Sequence, residues 1–208
     1  MDCSRYTLLI AGAALGSYLA GSVNFSVLAS RLLGLGDPRR AGSGNAGATN
    51  LFRTAGMPVA LGVLVLDLGR AAGVIWGGRT AGLEGLAPAL ALPLLLGNLF
   101  PVFHGFRGGK GVAATSGSML AISPLALLCG GGLFLLLMAS FRRVSLGSLA
   151  MCASFPLWLW LLDGSVTEIA VAGTLGAAML VTHRANLARL VRGEEPRLGR
   201  SASEAKSE

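Results

Sequence analysis

Between Gly111 and Phe141 the chain carries no charged side chain, and between Tyr6 and Ser30 it carries none either. Runs of this length meet the roughly 20 apolar residues that a helix needs to cross a hydrocarbon core about 30 Å thick. A hydrophobic content of 53% in 208 residues would also suit one soluble domain. The segregation of charge decides against it, and the sequence reads as an all-α, polytopic membrane helix bundle.

Hydropathy places spans near residues 7–30, 57–78, 86–103, 112–122, 124–141, 146–162 and 165–182. The stretch from Val112 to Phe141 is too long for one ordinary crossing and too short for two full ones at about 1.5 Å per residue. A single crossing would put Arg107 and Lys110 on the opposite side from Arg142 and Arg143, against the positive-inside rule. A short helix ending near Ser123-Pro124 keeps both pairs on one side. Seven spans are therefore predicted, with six, one segment being re-entrant, as the alternative.

The charged connections fix the orientation. Arg31, Arg39, Arg40 and Arg53 lie in the first, Arg107 and Lys110 in the third, Arg142 and Arg143 in the fifth, and the tail adds Arg184, Arg189, Arg192, Arg197, Arg200 and Lys206. This predicts an outside N-terminus and a cytoplasmic C-terminus. The first apolar run continues to Ser30 without a small-residue cleavage site, so it reads as a retained helix rather than a signal peptide. Asn24-Phe-Ser26 has the form of a glycosylation sequon but falls within that helix. Residues 1–200 read as a single integral membrane domain and 201–208 as a polar C-terminal tail.

Cys3, Cys129 and Cys152 are widely separated and only two histidines are present, so neither a disulfide framework nor a metal site is expected. The net charge of +7 sits in short arginine clusters beside apolar runs, without the aromatic interleaving of a strand-binding surface, and nucleic acid is not an expected partner. Many of the 31 glycines are spaced as in Gly12-Ala-Ala-Leu-Gly16 and Gly173-Thr-Leu-Gly176, a pattern that lets membrane helices pack closely.

Polar and glycine-rich islands stand at the ends of the apolar runs. Gly105-Phe-Arg-Gly-Gly-Lys-Gly111 is not a nucleotide-binding P-loop, because His104 and Gly111 occupy positions that need Gly and Ser or Thr. Its physics is related: Gly108, Gly109 and Gly111 let backbone N–H groups converge on an anion at a helix start, with charge from Arg107 and Lys110. Gly42 to Asn50 offers Ser43, Asn45, Thr49 and Asn50 as hydrogen-bonding groups, with Arg53 one turn beyond. The plainer alternative is a solvated linker.

His183, Asn186 and Arg189 fall at spacings of three at the end of the last span, on one helical face. His183 can act as base, donor or phosphate partner near neutral pH. Asp67 and Arg70 lie three apart deep in apolar sequence, where ionisable groups are costly, and read as a buried structural pair.

Together these residues resemble the bacterial acyl-phosphate glycerol-3-phosphate acyltransferases of the PlsY type. The family's Gly-Ser-Gly-Asn-x-Gly-Ala-Thr-Asn, with Arg three residues on, is matched by Gly42 to Asn50 and Arg53. Its Gly-His-x-Phe-Pro-Val-Phe and Phe-Lys-Gly-Gly-Lys-Gly-Val-Ala are matched by Gly97 to Phe103 and Phe106 to Ala113. Its His-x-x-Asn, Arg-Leu and Gly-x-Glu are matched by His183, Asn186, Arg189-Leu190 and Gly193-Glu-Glu195, and Ser145 falls in a matching Ser-Leu-Gly. Three departures stand out: Asn98 replaces the usual His, Arg107 a Lys, and Arg70-Ala71 a Lys-Gly. His104, six residues from Asn98, is not on the same helical face.

The resemblance implies transfer of a fatty acyl group from acyl phosphate to the sn-1 hydroxyl of glycerol 3-phosphate, with no cofactor or metal and no covalent intermediate. Ser43, Arg53, Lys110, His183 and Asn186 are the expected catalytic residues. Asn45, Thr49, Asn50, Arg107, Gly108, Gly109, Gly111 and Ser145 are expected to bind substrate, and Asp67, Arg70 and Glu195 to be structural. Expected partners are the two substrates, membrane lipid and the enzyme that makes acyl phosphate; the expected place is the bacterial inner membrane, with the site facing the cytoplasm. A transporter or channel for phosphorylated anions is the competing class, though the polar groups cluster on one face and no inverted pair of broken helices is visible.

Overall fold

The computed structural model describes residues 3–198, all of whose regular structure is helical. The helices are α1 (Cys3–Ser22), α2 (Phe25–Leu32), α3 (Ala48–Ala55), α4 (Met57–Thr80), α5 (Ala91–Leu99), α6 (Val112–Ile122), α7 (Pro124–Phe141), α8 (Val144–Leu161), α9 (Val166–Thr182) and α10 (Arg184–Val191). The predicted tail at 201–208, with Lys206, and Arg200 before it lie outside the described residues.

Four stretches are long and apolar enough to cross a membrane: Met57–Thr80, Ala87–His104, Pro124–Phe141 and Val144–Leu161. The bent pairs α1–α2 and α9–α10 raise the number to six. The 11-residue α6 is shorter than an ordinary span. The break expected near Ser123-Pro124 is present, and Ser123 caps α7 by accepting a hydrogen bond from the Ala126 N–H at 3.2 Å.

Four expectations need correction. The 7–30 segment is not one helix but bends by 41° between α1 and α2. Asn24 is extended there, and its side chain accepts from the Val27 N–H to start α2. The carbonyl groups released at the break are met by Arg70, which donates to Gly21 O at 3.3 Å and to Val23 O. A broken helix at membrane depth is tolerable when protein groups supply the missing partners in this way. The 86–103 segment has a helical centre, α5, between the 3-10 turns Ala87–Leu90 and Val102–His104. The first connection contains α3 as well as a loop.

The fourth correction concerns the glycines. Gly12, Gly16 and Gly173 have open space where a side chain would be. Of the expected glycines only Gly176 packs closely, its Cβ position lying 3.2 Å from Cys152 O of α8; the tightest approaches are elsewhere, a Cβ on Gly21 lying 2.1 Å from Leu94 O and one on Gly97 2.1 Å from Tyr18 O, so α1 and α5 touch backbone to backbone. Gly117 likewise brings α6 against Leu68 of α4. Spacing alone does not say which small-residue face meets a neighbour.

Asp67 and Arg70 of α4 are 2.9 Å apart, with side chains 10% and 8% exposed. At one end of the bundle Arg79 donates to Ala121 O at 2.7 Å and approaches Glu168 at 3.8 Å, tying together the ends of α4 and α6 and the start of α9. The glycine-rich connections gather at the other end, where α6 begins.

Candidate active site

Lys110 immediately precedes the left-handed Gly111 that starts α6, and its ammonium donates to Asn186 Oδ1. A Cβ at Gly111 would stand 2.2 Å from Leu95 Cδ1, and φ is +89°, so conformation and space both select glycine there. Asn186 uses its other end as well: Nδ2 donates to Glu195 Oε1 at 2.6 Å. That oxygen also accepts from Ser145 Oγ at 2.6 Å, while Arg189 Nε lies 2.8 Å from Glu195 Oε2. Three segments distant in sequence, around Lys110, Ser145 and 186–195, are thus joined through one buried carboxylate and its Asn186 partner.

His183, Asn186 and Arg189 do not continue the last span as expected. The chain bends by 63° at His183, and α10 leaves α9 as a separate short helix. The bend carries Asn186 and Arg189 to Glu195, and His183 at the bend is 3% exposed. Its Nδ1 is 3.0 Å from Met179 O. A carbonyl can only accept, so Nδ1 carries the proton and Nε2 the lone pair. Thr182 Oγ1 lies 3.1 Å from Lys110 O, which anchors the second loop to the end of α9.

Burial first, and the charge of Lys110 next, push the His183 pKa down to about 4. Burial also lowers that of Lys110; Arg189 and Arg53 act in the same direction and Glu195 opposes them. Burial alone would raise the pKa of Glu195, but hydrogen bonds from Ser145, Asn186 and Arg189 outweigh it and hold the carboxyl below its ordinary value. Arg53, Lys110, Arg189, His183 and Glu195 therefore share one electrostatic environment with an excess of positive charge.

The Gly42–Asn50 loop is more tightly framed than its composition suggests. Asn50 is 1% exposed; its Oδ1 accepts from Ser43 N at 2.8 Å and Ser43 Oγ at 3.2 Å, and its Nδ2 donates to Pro38 O and Ala41 O at 2.7 and 3.0 Å. Ser43, Thr49 and Arg53 remain exposed and Asn45 half-exposed. The second loop lies against the first, since a Cβ on Gly109 would be 3.1 Å from Ala46 O.

Gly108 and Gly109 turn their N–H groups away from any ligand, donating them to Leu99 O and Asn98 O at 3.1 Å each. The donors that sequence reading offered at 108 and 109 are already engaged, and these glycines matter for room: a Cβ on Gly108 would lie 1.9 Å from Asn98 O. Asn98 contributes through its main chain, a role indifferent to the departure from His. Arg107 is exposed. Sequence reading missed Asp37 and Arg39, whose ion pair at 2.7 Å stands behind both loops; the Asp-Pro-Arg turn was the available signal.

This arrangement, two glycine-bearing loops and a buried polar relay at one end of a membrane helix bundle, is that of an integral membrane enzyme acting on anionic substrates. The sequence profile of the glycerol-3-phosphate acyltransferase family matches residues 11–193, and the chain belongs to that family. It is 42% identical over 193 residues to the glycerol-3-phosphate acyltransferase of Thioalkalivibrio sulfidiphilus, covering 92% of this chain and 95% of the relative. It is 43% identical over 206 residues to that of Maricaulis maris, with 95% and 92% covered. Among solved structures it is similar to PlsY (YgiH), an integral membrane glycerol 3-phosphate acyltransferase. The glycerol 3-phosphate form superposes with a TM-score of 0.85 at 33% identity, covering 90% of this chain and 94% of that one. The lysophosphatidic acid form gives 0.84 at 32% identity, with the same coverage.

Proposed function

We propose that this chain transfers a fatty acyl group from acyl phosphate to the sn-1 hydroxyl of glycerol 3-phosphate, giving lysophosphatidic acid and inorganic phosphate, at the cytoplasmic face of a bacterial inner membrane. The observation that carries this reading is the convergence of Lys110 and Arg189 on Asn186 and Glu195, with the charge of Arg53 felt at Lys110, at the end of the bundle where the glycine loops meet. The two solved relatives are described with glycerol 3-phosphate and with lysophosphatidic acid, the acceptor and product of such a transfer. Family membership removes the reason to prefer a transporter.

Both substrates are anions, so Arg53, Lys110 and the N–H groups at 110 and 111 bind phosphate and offset charge on the acyl carbonyl oxygen. Ser43, Asn45 and Thr49 orient the phosphates, assisted by Arg107. Asn50 shapes the first loop, Gly108, Gly109 and Gly111 give the second its close fit, and Ser145, Glu195 and Asn186 hold Lys110 in place. The hydroxyl oxygen attacks the acyl carbon, the C–O bond to phosphate breaks, and the phosphate leaves. The second pKa of a phosphate monoester, about 6, lets a bound substrate phosphate take up a proton near neutral pH. The hydroxyl proton therefore passes to a substrate phosphate, and Nε2 of His183 orients the hydroxyl.

Residues 1–200 act as one membrane domain in this reading, with seven spans, an outside N-terminus and a cytoplasmic C-terminus. The support is α6, which starts beside Lys110 and ends at the Arg79–Glu168 contact of the opposite end. Eleven residues cover only about 16 Å, so Lys110 lies below the membrane surface. There an acyl chain can react while dissolved in lipid, retaining about 0.8 kcal/mol per buried CH₂. The acyl-phosphate-producing enzyme is the natural donor-side partner.

The test is product formation by purified protein in proteoliposomes. Equal amounts of lysophosphatidic acid and phosphate from acyl phosphate are expected; product from an acyl thioester but none from acyl phosphate would overturn the donor assignment. A cysteine at Ser123 should react with an impermeant reagent from outside, and protection there would remove the seven-span topology.

A further inference from the structure

The two glycine-bearing loops lie more than fifty residues apart in sequence and share no covalent link near the site, yet Ser43, Arg53 and Lys110 must keep fixed separations to meet one pair of substrates. Their fixation runs through a residue outside the signature motifs. Arg39 presents two edges of its planar guanidinium to two different elements. One edge is locked by Asp37: Nε lies 2.9 and 3.1 Å from Oδ1 and Oδ2, and Nη2 2.7 Å from Oδ2. The other edge crosses to the second loop, where Nη1 donates to His104 O at 2.8 Å and to Arg107 O at 3.3 Å.

We infer that Arg39 is a positioning residue for acyl transfer, a clasp that fixes the 105–111 loop against the 37–50 loop and so sets Lys110 relative to Ser43 and Arg53. The connection is continuous on both sides. Asp37 accepts from Arg39 N at 3.0 Å and starts the 3-10 turn Pro38–Arg40, and the next carbonyl groups, Pro38 O and Ala41 O, are held by Asn50. Asn50 in turn orients Ser43. Beyond the clasp, Arg107 O precedes Gly108 and Gly109, whose N–H groups are pinned to α5, and Lys110 follows.

Lysine cannot replace this. Its ammonium is a single point on a flexible stem and cannot satisfy a bidentate carboxylate and two diverging carbonyl oxygens together. The ion pair is about a quarter exposed, so its Coulombic worth is small; what it supplies is direction. The neighbouring Arg40 is exposed, and its truncation controls for the loss of a positive charge beside the clasp.

This inference rests on the assignment of Lys110 to the substrates, and the experiment separates the two. Turnover and KM for glycerol 3-phosphate are measured for Arg39→Lys, Arg40→Ala and Lys110→Ala, with backbone hydrogen exchange of the 102–111 segment. Arg39→Lys is expected to lower kcat at least about tenfold, the scale of losing a charge-assisted hydrogen bond, and to speed exchange in 102–111 while the membrane helices exchange as before. Arg40→Ala should match the parent. Turnover of Arg39→Lys within about twofold of the parent, or an equal loss in Arg40→Ala, overturns the clasp while Lys110→Ala is inactive. Full activity of Lys110→Ala overturns the site and the clasp together. Should Arg39→Lys not yield a monodisperse protein, Asp37→Asn, which keeps the guanidinium but loosens its direction, is read by the same criteria.

Discussion

Glu195 Oε1 lies 2.6 Å from Asn186 Nδ2, and this bond determines which end of the Asn186 amide faces Lys110. A carboxylate only accepts, so the amide must present its NH₂ group to Glu195 and its oxygen to the ammonium. Glu195→Gln replaces that acceptor with a group that can also donate, leaving both the amide orientation and Arg189 under-specified. We expect a loss of about 1–3 kcal/mol of stability together with reduced turnover. Thermal denaturation in detergent, paired with a lysophosphatidic acid assay, checks it; a Glu195→Gln protein equal to the parent in both contradicts the relay.

Lys110 and Arg53 are expected to matter for rate because they meet charge that grows during acyl transfer. Removal of one preorganised donor typically costs about 10² to 10³ in kcat. Lys110→Met and Arg53→Met should each fall by amounts of that order, without a change in elution profile. Parent-like turnover in either would remove that residue from the reaction.

Two glycines of the second loop should respond in opposite ways. At Gly108 an added methyl meets backbone, Asn98 O at 1.9 Å, so Gly108→Ala must displace α5 or the loop. Gly105 has a positive φ of 65° but open space around it, so Gly105→Ala carries only left-handed strain, about 1–2 kcal/mol. Near-normal kcat is expected for Gly105→Ala and severe loss for Gly108→Ala. Similar activities in the two would show that backbone room at 108 does not limit the reaction.

Apolar run length and the positions of Arg clusters made the helix bundle legible, and Pro124 after Ser123 marked the α6–α7 break. The break at Asn24 was hidden, because its energy is returned by Arg70 from another helix, a tertiary compensation that no local pattern announces. The bend at His183 was hidden for a similar reason: Asn186 and Arg189 are drawn to Glu195, which lies beyond the helix. Residue types at the site were readable from motif chemistry. Their division of labour was not, since Asn50 and Asn186 both look like ligand groups and both have every amide atom engaged within the protein.

Arg70→Met should destabilise more than a surface change. It leaves Asp67 buried without its partner and the Gly21 and Val23 carbonyl groups without a donor. Breaking a buried pair from one side commonly costs about 3–5 kcal/mol. The double change Asp67→Leu with Arg70→Met should recover part of that loss, the carbonyl groups still being unmet. A single Arg70→Met protein as heat-stable as the parent would refute the role given to the pair.

The buried His183 makes stability depend on pH in a defined direction. Burial and Lys110 lower its pKa from 6.5 to about 4, so between those values the unfolded chain binds the proton and the folded one does not. Stability therefore rises with pH across the window. The contribution is complete above about 6.5 and disappears as pH falls through about 4. Glu195 and Asp37 respond only at lower pH, below their ordinary values. The melting temperature of the parent should drop between pH ~7 and ~5, and His183→Gln should flatten that drop. An unchanged slope in His183→Gln would mean that the imidazole is charged in the folded protein, and with it the assignment of Nε2 as a free acceptor for the substrate hydroxyl would fall.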